Sequence, residues 1–198
     1  MNKNFYLIIL FILGGLGLFT ACEETEGVDE YANWKERNDA FIDSIARVAR
    51  NNPEEWKIYK AFNLPPDEEG KEYSGDVSQY IYAYVINEGD GNISPLATDS
   101  VRINYRALLI NDELIKQSYT LDEPDRNFVV PAKFVVANVS ASVDINSSLG
   151  LSTAFMHMKQ NDRWKVYIPF ELTFSGIRSY SNLIVDVDLV EVLLLNHD

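Results

Sequence analysis

Met158, then Asp162-Arg163-Trp164-Lys165-Val166-Tyr167-Ile168-Pro169, then Glu171-Leu172, and finally Leu183 to Leu189 form the stretch that decides the fold. Asp162 opens a polar turn into a β-prone run. The run stops at Pro169, because proline has no N–H to give to a strand ladder. After a short irregular segment, Leu183, Val185, Val187 and Leu189 alternate with Ile184, Asp186 and Asp188. That last strand reads as buried on one face, with Asp186 and Asp188 expected in solvent on the other.

Working outward, Gly150 to Lys159 breaks the period of two, and Leu151, Ala154, Phe155 and Met158 share one helical face. Upstream, Leu114–Tyr119 and Val129–Val136 read as strands. Val101, Ile103, Tyr105, Ala107 and Leu109 alternate with Arg102, Asn104 and Arg106, giving a strand with one buried face. Tyr80, Tyr82 and Tyr84 alternate with Ile81, Ala83 and Val85 in another, which ends at Asn87-Glu88-Gly89-Asp90-Gly91. Tyr31 to Phe62 reads as helical, with Tyr31, Trp34, Phe41, Ile45 and Val48 as its apolar stripe. Asn51-Asn52-Pro53 interrupts it, and Glu54–Phe62 is expected to be a second short helix packed through Trp56 and Tyr59. Leu64-Pro65-Pro66-Asp67-Glu68-Glu69-Gly70 is a linker by composition. The order of elements implies an α+β domain with an antiparallel sheet curved over a single helix.

The first residues form an export address. Lys3 precedes an apolar run from Phe5 to Phe19, which suits a secretory signal and is short for a membrane span. Phe19-Thr20-Ala21-Cys22 resembles a lipobox, in which the cysteine receives diacylglycerol. Cys22 is the chain's single cysteine, so no internal disulfide competes for it. An ordinary signal peptide with an incidental cysteine is the alternative. Glu23, Glu24, Glu26, Asp29 and Glu30 follow, either as a solvated tether or as an acidic tag for surface export. The expected location is the outer membrane of a Gram-negative envelope, facing either the periplasm or the outside; the lipid is the only membrane contact expected. A formal charge of −13 argues against nucleic acid and anionic headgroups as partners of the folded surface.

From about Asp99 to Leu194 the motifs resemble FKBP-type peptidyl-prolyl cis-trans isomerases. Val101-Arg102-Ile103-Asn104-Tyr105 is similar to the family's first core strand, with Tyr105 at the aromatic pocket position. Ile115-Lys116-Gln117-Ser118 stands where the family reads Phe-Asp-x-Ser. Pro131-Ala132-Lys133-Phe134, Gly150-Leu151, Met158 and Tyr167-Ile168-Pro169 follow in the family's order, and Leu183–Leu189 resembles its final strand. The resemblance implies an FKBP-like antiparallel half-barrel wrapped on one short helix, preceded by an N-terminal helical segment. It sets expected divisions at 1–21 (lipoprotein signal), 22–30 (acidic tether), 31–76 (helical extension and linker) and 77–198 (FKBP-like domain, core about 99–194). The extension resembles those on exported lipoproteins of the family.

Prolyl rotation crosses a barrier of about 18–20 kcal/mol. The family is understood to lower it without nucleophile, metal or cofactor, by holding the twisted amide in a dry aromatic pocket. The resemblance implies a pocket of Tyr105, Ile115, Lys116, Phe134, Leu151, Phe174, Ile177 and Val185. Several of these depart from the family pattern. Lys116 reverses an aspartate's charge, Ile115 and Leu151 replace aromatics, Phe174 lacks a tyrosine hydroxyl, and Val185 replaces a phenylalanine. Ala132 falls at a pocket phenylalanine. These departures imply weak isomerase activity, with a non-catalytic peptide- or protein-binding lipoprotein as the alternative. No residue is assigned as a nucleophile or general base.

The expected partners are a proline-containing peptide or exported protein, and a protein docking on the helices of 31–62. His157 and His197 sit in no cluster with metal-ligand spacing, and His157 is expected on the polar side of its helix. Trp34, Trp56 and Trp164 read as packing residues.

Overall fold

A computed structural model describes residues 29–121, 123–138 and 143–195 of the chain. The signal segment, Cys22, the acids before Asp29, and His197 lie outside the described residues. The chain divides after Ala32. In the short first unit, Asp29 accepts the Tyr31 N–H on its carboxylate and the Ala32 N–H on its carbonyl, closing a turn. All that follows concerns the second unit, which begins at Asn33.

That unit opens with α1, Trp34–Asn51, whose first turn holds Glu36 and whose last holds Arg50, both favourable to the helix dipole. Its buried side is Trp34, Asn38, Ile42, Ala46 and Ala49. The face is rotated by about one residue from the expected stripe. Phe41 and Ile45 are half-buried flanks, and Val48 is exposed. Small Ala46 and Ala49 let the helix backbone approach the rings of Tyr80 and Tyr82, which larger residues at those positions would hold off.

Trp56–Lys60 is a strand, β1, and this overturns the expected second helix. It pairs antiparallel with β2, Tyr80–Asn87, in the register Trp56↔Tyr84 to Lys60↔Tyr80. Tertiary context decides here. Trp56, Ile58 and Tyr59 are good strand formers, and the β2 edge offers a ladder that a short isolated helix cannot match. Alternation sends Trp56 and Ile58 toward α1, while Tyr59 turns to the other face beside His157 and Trp164. Residues 33–76 thus contribute a helix and a strand to the same compact unit as the later strands.

The remaining strands are β3 (Ser100–Leu108), β4 (Leu114–Gln117), β5 (Ala132–Val135), β6 (Arg163–Ile168) and β7 (Leu183–Leu193). Among the described residues they form one antiparallel sheet in the order β1-β2-β6-β7-β3-β4. The outer edge of β3 is shared, with β5 along Ser100–Ile103 and β4 along Arg106–Leu108. The second helix, α2 (Leu149–His157), is capped by Ser148, whose Oγ accepts the Leu151 N–H at 3.2 Å. A Cβ on Gly150 would lie 2.3 Å from Ile168, so glycine sets how closely α2 rests on the sheet. The fold is the expected antiparallel sheet over one short helix, with an N-terminal helix before it.

Val101, Ile103, Tyr105 and Ala107 of β3, with Val185, Val187 and Leu189 of β7, form the sealed face toward α2. Full burial of one such aliphatic side chain contributes about 1.5–3 kcal/mol. The opposite face carries paired charge, which corrects the expectation that Asp186 and Asp188 are solvated. Arg163 grips Asp186 through two bonds of 3.0 and 2.8 Å. Asp188 is 4% exposed, and it accepts from Asn104 and from the Arg126 guanidinium. Among the described residues no helix covers this end of the sheet; Arg126 lies over it, and its bidentate pairing satisfies the buried carboxylate. No described helix is long and apolar enough to cross a membrane.

Candidate functional site

Tyr105 enters the interior from the middle of β3, which Ser118 braces by accepting the Tyr105 N–H at 2.9 Å. Its ring meets Phe134 edge-on at 5.3 Å, and Phe134 meets Phe155 of α2 the same way at 5.9 Å. These are preferred aromatic geometries and fix the ring without filling its hydroxyl's hydrogen-bonding capacity. That hydroxyl has no hydrogen-bond partner among the described residues. Burial, with a smaller contribution from the Asp144 carboxylate, pushes its pKa up to about 12. It is therefore neutral at physiological pH and keeps a proton to donate.

Lys116 is opposite Ala107 in the β3–β4 ladder and so shares the face of Tyr105. Its ammonium lies 2.6 Å from Asp144, and both side chains are about half exposed. Lys116, with the Asn146 N–H, holds the Asp144 carboxyl below the usual range. The same carboxylate caps the 3-10 turn Ile145–Ser147 by accepting the Asn146 N–H at 3.1 Å. Asp144 is a neighbour of both Lys116 and Tyr105 that the motif order does not name. The available signal was the Asp-x-Asn spacing of an Asx cap just before the Ser148 helix cap. Ile115 lies at the β3–β4 irregularity and is half-buried.

Leu151 and Val185 are 1% and 0% exposed, packed against the sheet's sealed face. Val185 opposes Ala107, which places Val185, Ala107 and Lys116 in one row across β7, β3 and β4. Phe174 is also buried, at 9%. A Cβ on Gly176 would come 2.1 Å from the Val143 carbonyl oxygen and 3.0 Å from the Phe174 ring. The close approach that glycine permits draws the 174–177 segment against the chain leading into Asp144. Ile177, with Arg178, Ser179 and Tyr180, lines a cleft of about 330 Å³. Tyr105, Phe134 and Lys116 thus share one face of the sheet, Lys116 holds Asp144, and Gly176 brings the 174–177 segment against Val143, the residue before Asp144. Leu151 and Val185 are sealed within the core.

His157 does not stand free on a polar helix face. Its ring stacks on Tyr59 at 3.7 Å and 4°, and loss of water on that side lowers its pKa. Among the described residues no group of three or more His, Cys, Asp or Glu side chains could hold a metal ion.

The model of the family described as FKBP-type peptidyl-prolyl cis-trans isomerase matches residues 91–190. The chain belongs to the FKBP family. An FKBP-type 22 kDa peptidyl-prolyl cis-trans isomerase of Escherichia coli is 31% identical over 115 residues, 55% of this chain and 48% of that protein. The chain thus spans about half the length of this curated relative. A peptidyl-prolyl cis-trans isomerase of Pseudomonas syringae has the same fold, with a TM-score of 0.51 at 15% identity over 80% of this chain and 96% of that one. A multi-domain immunophilin of Arabidopsis thaliana gives 0.45 at 18% identity, over 60% of this chain and 44% of its own. The FKBP match begins after β2, so α1, β1 and β2 are additions to the matched segment that complete one edge of its sheet.

Proposed function

We propose that this chain is a weak peptidyl-prolyl isomerase of the Gram-negative cell envelope, held through a lipid on Cys22 in the outer membrane. Its substrates are proline-containing segments of exported proteins. Tyr105 carries this reading: a buried phenol whose hydroxyl has no partner among the described residues, set edge-on against Phe134, which Phe155 backs in turn, on an FKBP scaffold. An apolar enclosure favours the twisted amide, which has lost resonance and polarity, over the planar one. Every group needed for that is a side chain of this protein.

The proposed weakness has a physical basis in the same residues. Lys116 neutralises the Asp144 carboxylate where an unpaired carboxylate would polarise the pocket. Phe174 offers no hydroxyl to a flanking carbonyl, and one such hydrogen bond is typically worth about 0.5–1.5 kcal/mol. Leu151 and Val185 supply apolar contact with less surface than aromatic rings.

A second reading, a peptide- or protein-binding lipoprotein without turnover, is favoured by that same Lys116–Asp144 pair. On either reading the exposed face of α1 remains available to a protein partner. A cis/trans exchange assay on a Leu-Pro peptide separates the two readings. Slow but protein-dependent exchange supports the isomerase, and saturable binding with no exchange supports the module. Cys22→Ala should move the chain from the membrane fraction to the soluble one; unchanged membrane retention refutes the anchor.

A further inference from the structure

The segment from Phe170 to Asn182 carries Phe174, Ile177 and Tyr180, and it is held from below by α1. Asn38 accepts the Asn182 N–H on its Oδ1 at 2.8 Å, and the Asn38 carbonyl accepts from Asn182 Nδ2 at 2.6 Å. Asn182 Oδ1 in turn accepts the Phe170 N–H at 3.0 Å. One turn earlier, Trp34 Nε1 donates to Ser181 Oγ at 2.9 Å. Asn38, Ser181 and Asn182 are each no more than 1% exposed. Packing alone would be served as well by apolar side chains, without the cost of desolvating amides. A buried polar network with its partners met fixes one arrangement in preference to its neighbours.

The same helix also reaches the cleft itself. Trp34 lines a hollow of about 570 Å³ together with Ile177, Arg178, Ser179 and Tyr180. The Lys35 ammonium lies 5.6 Å from the Phe170 ring centre and 5.7 Å from that of Tyr180, and the two rings meet edge to face. Both ends of the segment are thus tied to one helix, which lies outside the residues matched to the FKBP family.

We propose that α1 positions the 175–182 segment for the peptide, with Asn38 and Trp34 as positioning residues that act through Ser181 and Asn182 on Ile177 and Tyr180. This rests on the prolyl-peptide reading of the site. It gives the N-terminal helix a part in peptide affinity that packing alone would not. The loosened segment makes fewer contacts with bound peptide while the Tyr105 pocket, on β3, is unaltered. Losing an α1 bond should therefore raise KM and leave kcat nearly constant.

The test uses the full chain and a Leu-Pro peptide, comparing Ser181→Ala and Trp34→Phe, which delete the same hydrogen bond from either side, with Ser181→Thr, which keeps the acceptor. The expected result is a KM raised about fivefold in the first two, with kcat within about twofold and the Thr variant close to the unaltered chain. Unchanged KM in Ser181→Ala and Trp34→Phe of an active chain, or a loss in kcat alone, overturns the inference and leaves the isomerase reading standing. If the unaltered chain neither binds nor turns over the peptide, the reading of the site has failed and the inference falls with it. Asn38→Ala should show the larger effect; should it fail to fold, the two milder variants still decide.

Discussion

The Lys116 ammonium sits 2.6 Å from the Asp144 carboxylate, on the sheet face that also carries Tyr105. A cation from β4 therefore meets an anion from the segment before α2, and neither is left to act on a peptide. Lys116→Asp combined with Phe174→Tyr frees a carboxylate and restores a hydroxyl. Isomerase kcat/KM should rise roughly tenfold, the effect of about 1.4 kcal/mol in the barrier. A double variant no more active than the parent would show that these residues do not limit the pocket.

Gly176→Ala should lower both stability and peptide affinity. Its methyl would overlap the Val143 carbonyl oxygen, so one of the two backbone segments must shift. Forced overpacking of this kind typically costs about 1–3 kcal/mol, to be read from the midpoint of urea unfolding at unchanged slope. An unmoved midpoint would mean that the two segments separate freely.

Ala46→Arg should destabilise the unit, because Ala46 is 1% exposed and packs against Tyr80 and Tyr82. Placing a guanidinium there either buries an unpaired charge or lifts α1 off the sheet. Removal of residues 23–62 should be worse, since it also strips β1 from β2. Hydrogen exchange in Tyr80–Asn87 gives the readout. Unchanged protection after that deletion would make α1 and β1 dispensable to the core.

The pH dependence has a defined sign at His157. Burial, which strips water from the imidazole, lowers its folded pKa below its ordinary value near 6.5, so the unfolded chain binds the proton more readily. Stability is thus undiminished above about 6.5 and declines as pH falls from there toward the folded pKa. A melting series from neutral to mildly acidic pH should show that decline, and His157→Phe should flatten it. An equal slope in both proteins would place the effect elsewhere.

Much of the fold was legible because alternation is a strong signal where one face is sealed. Val101 to Leu109 and Leu183 to Leu189 announce their buried residues in the sequence, and the structure buries them. The failures have tertiary causes. Trp56–Lys60 is too short for periodicity to tell helix from strand, and the open β2 edge decides. The α1 stripe turned by a residue because Ala46 and Ala49 pack closest, which no apolar count detects. Asp186 and Asp188 looked solvated until Arg163 and Arg126, distant in sequence, arrived as partners. Motif order named Tyr105, Phe134 and Lys116, and the strand pairing sets all three on one face of the sheet. Asp144, Asn38 and Asn182 were not, because their roles come from contacts across the fold.

Tyr105 is the central claim. Two-dimensional exchange spectroscopy on a Leu-Pro peptide, with and without the full chain, measures prolyl rotation directly. The account predicts that the unaltered chain accelerates exchange, that Tyr105→Phe slows it, and that Tyr105→Ala removes it while the fold persists. Acceleration that survives Tyr105→Ala, or no acceleration by the unaltered chain, would contradict it.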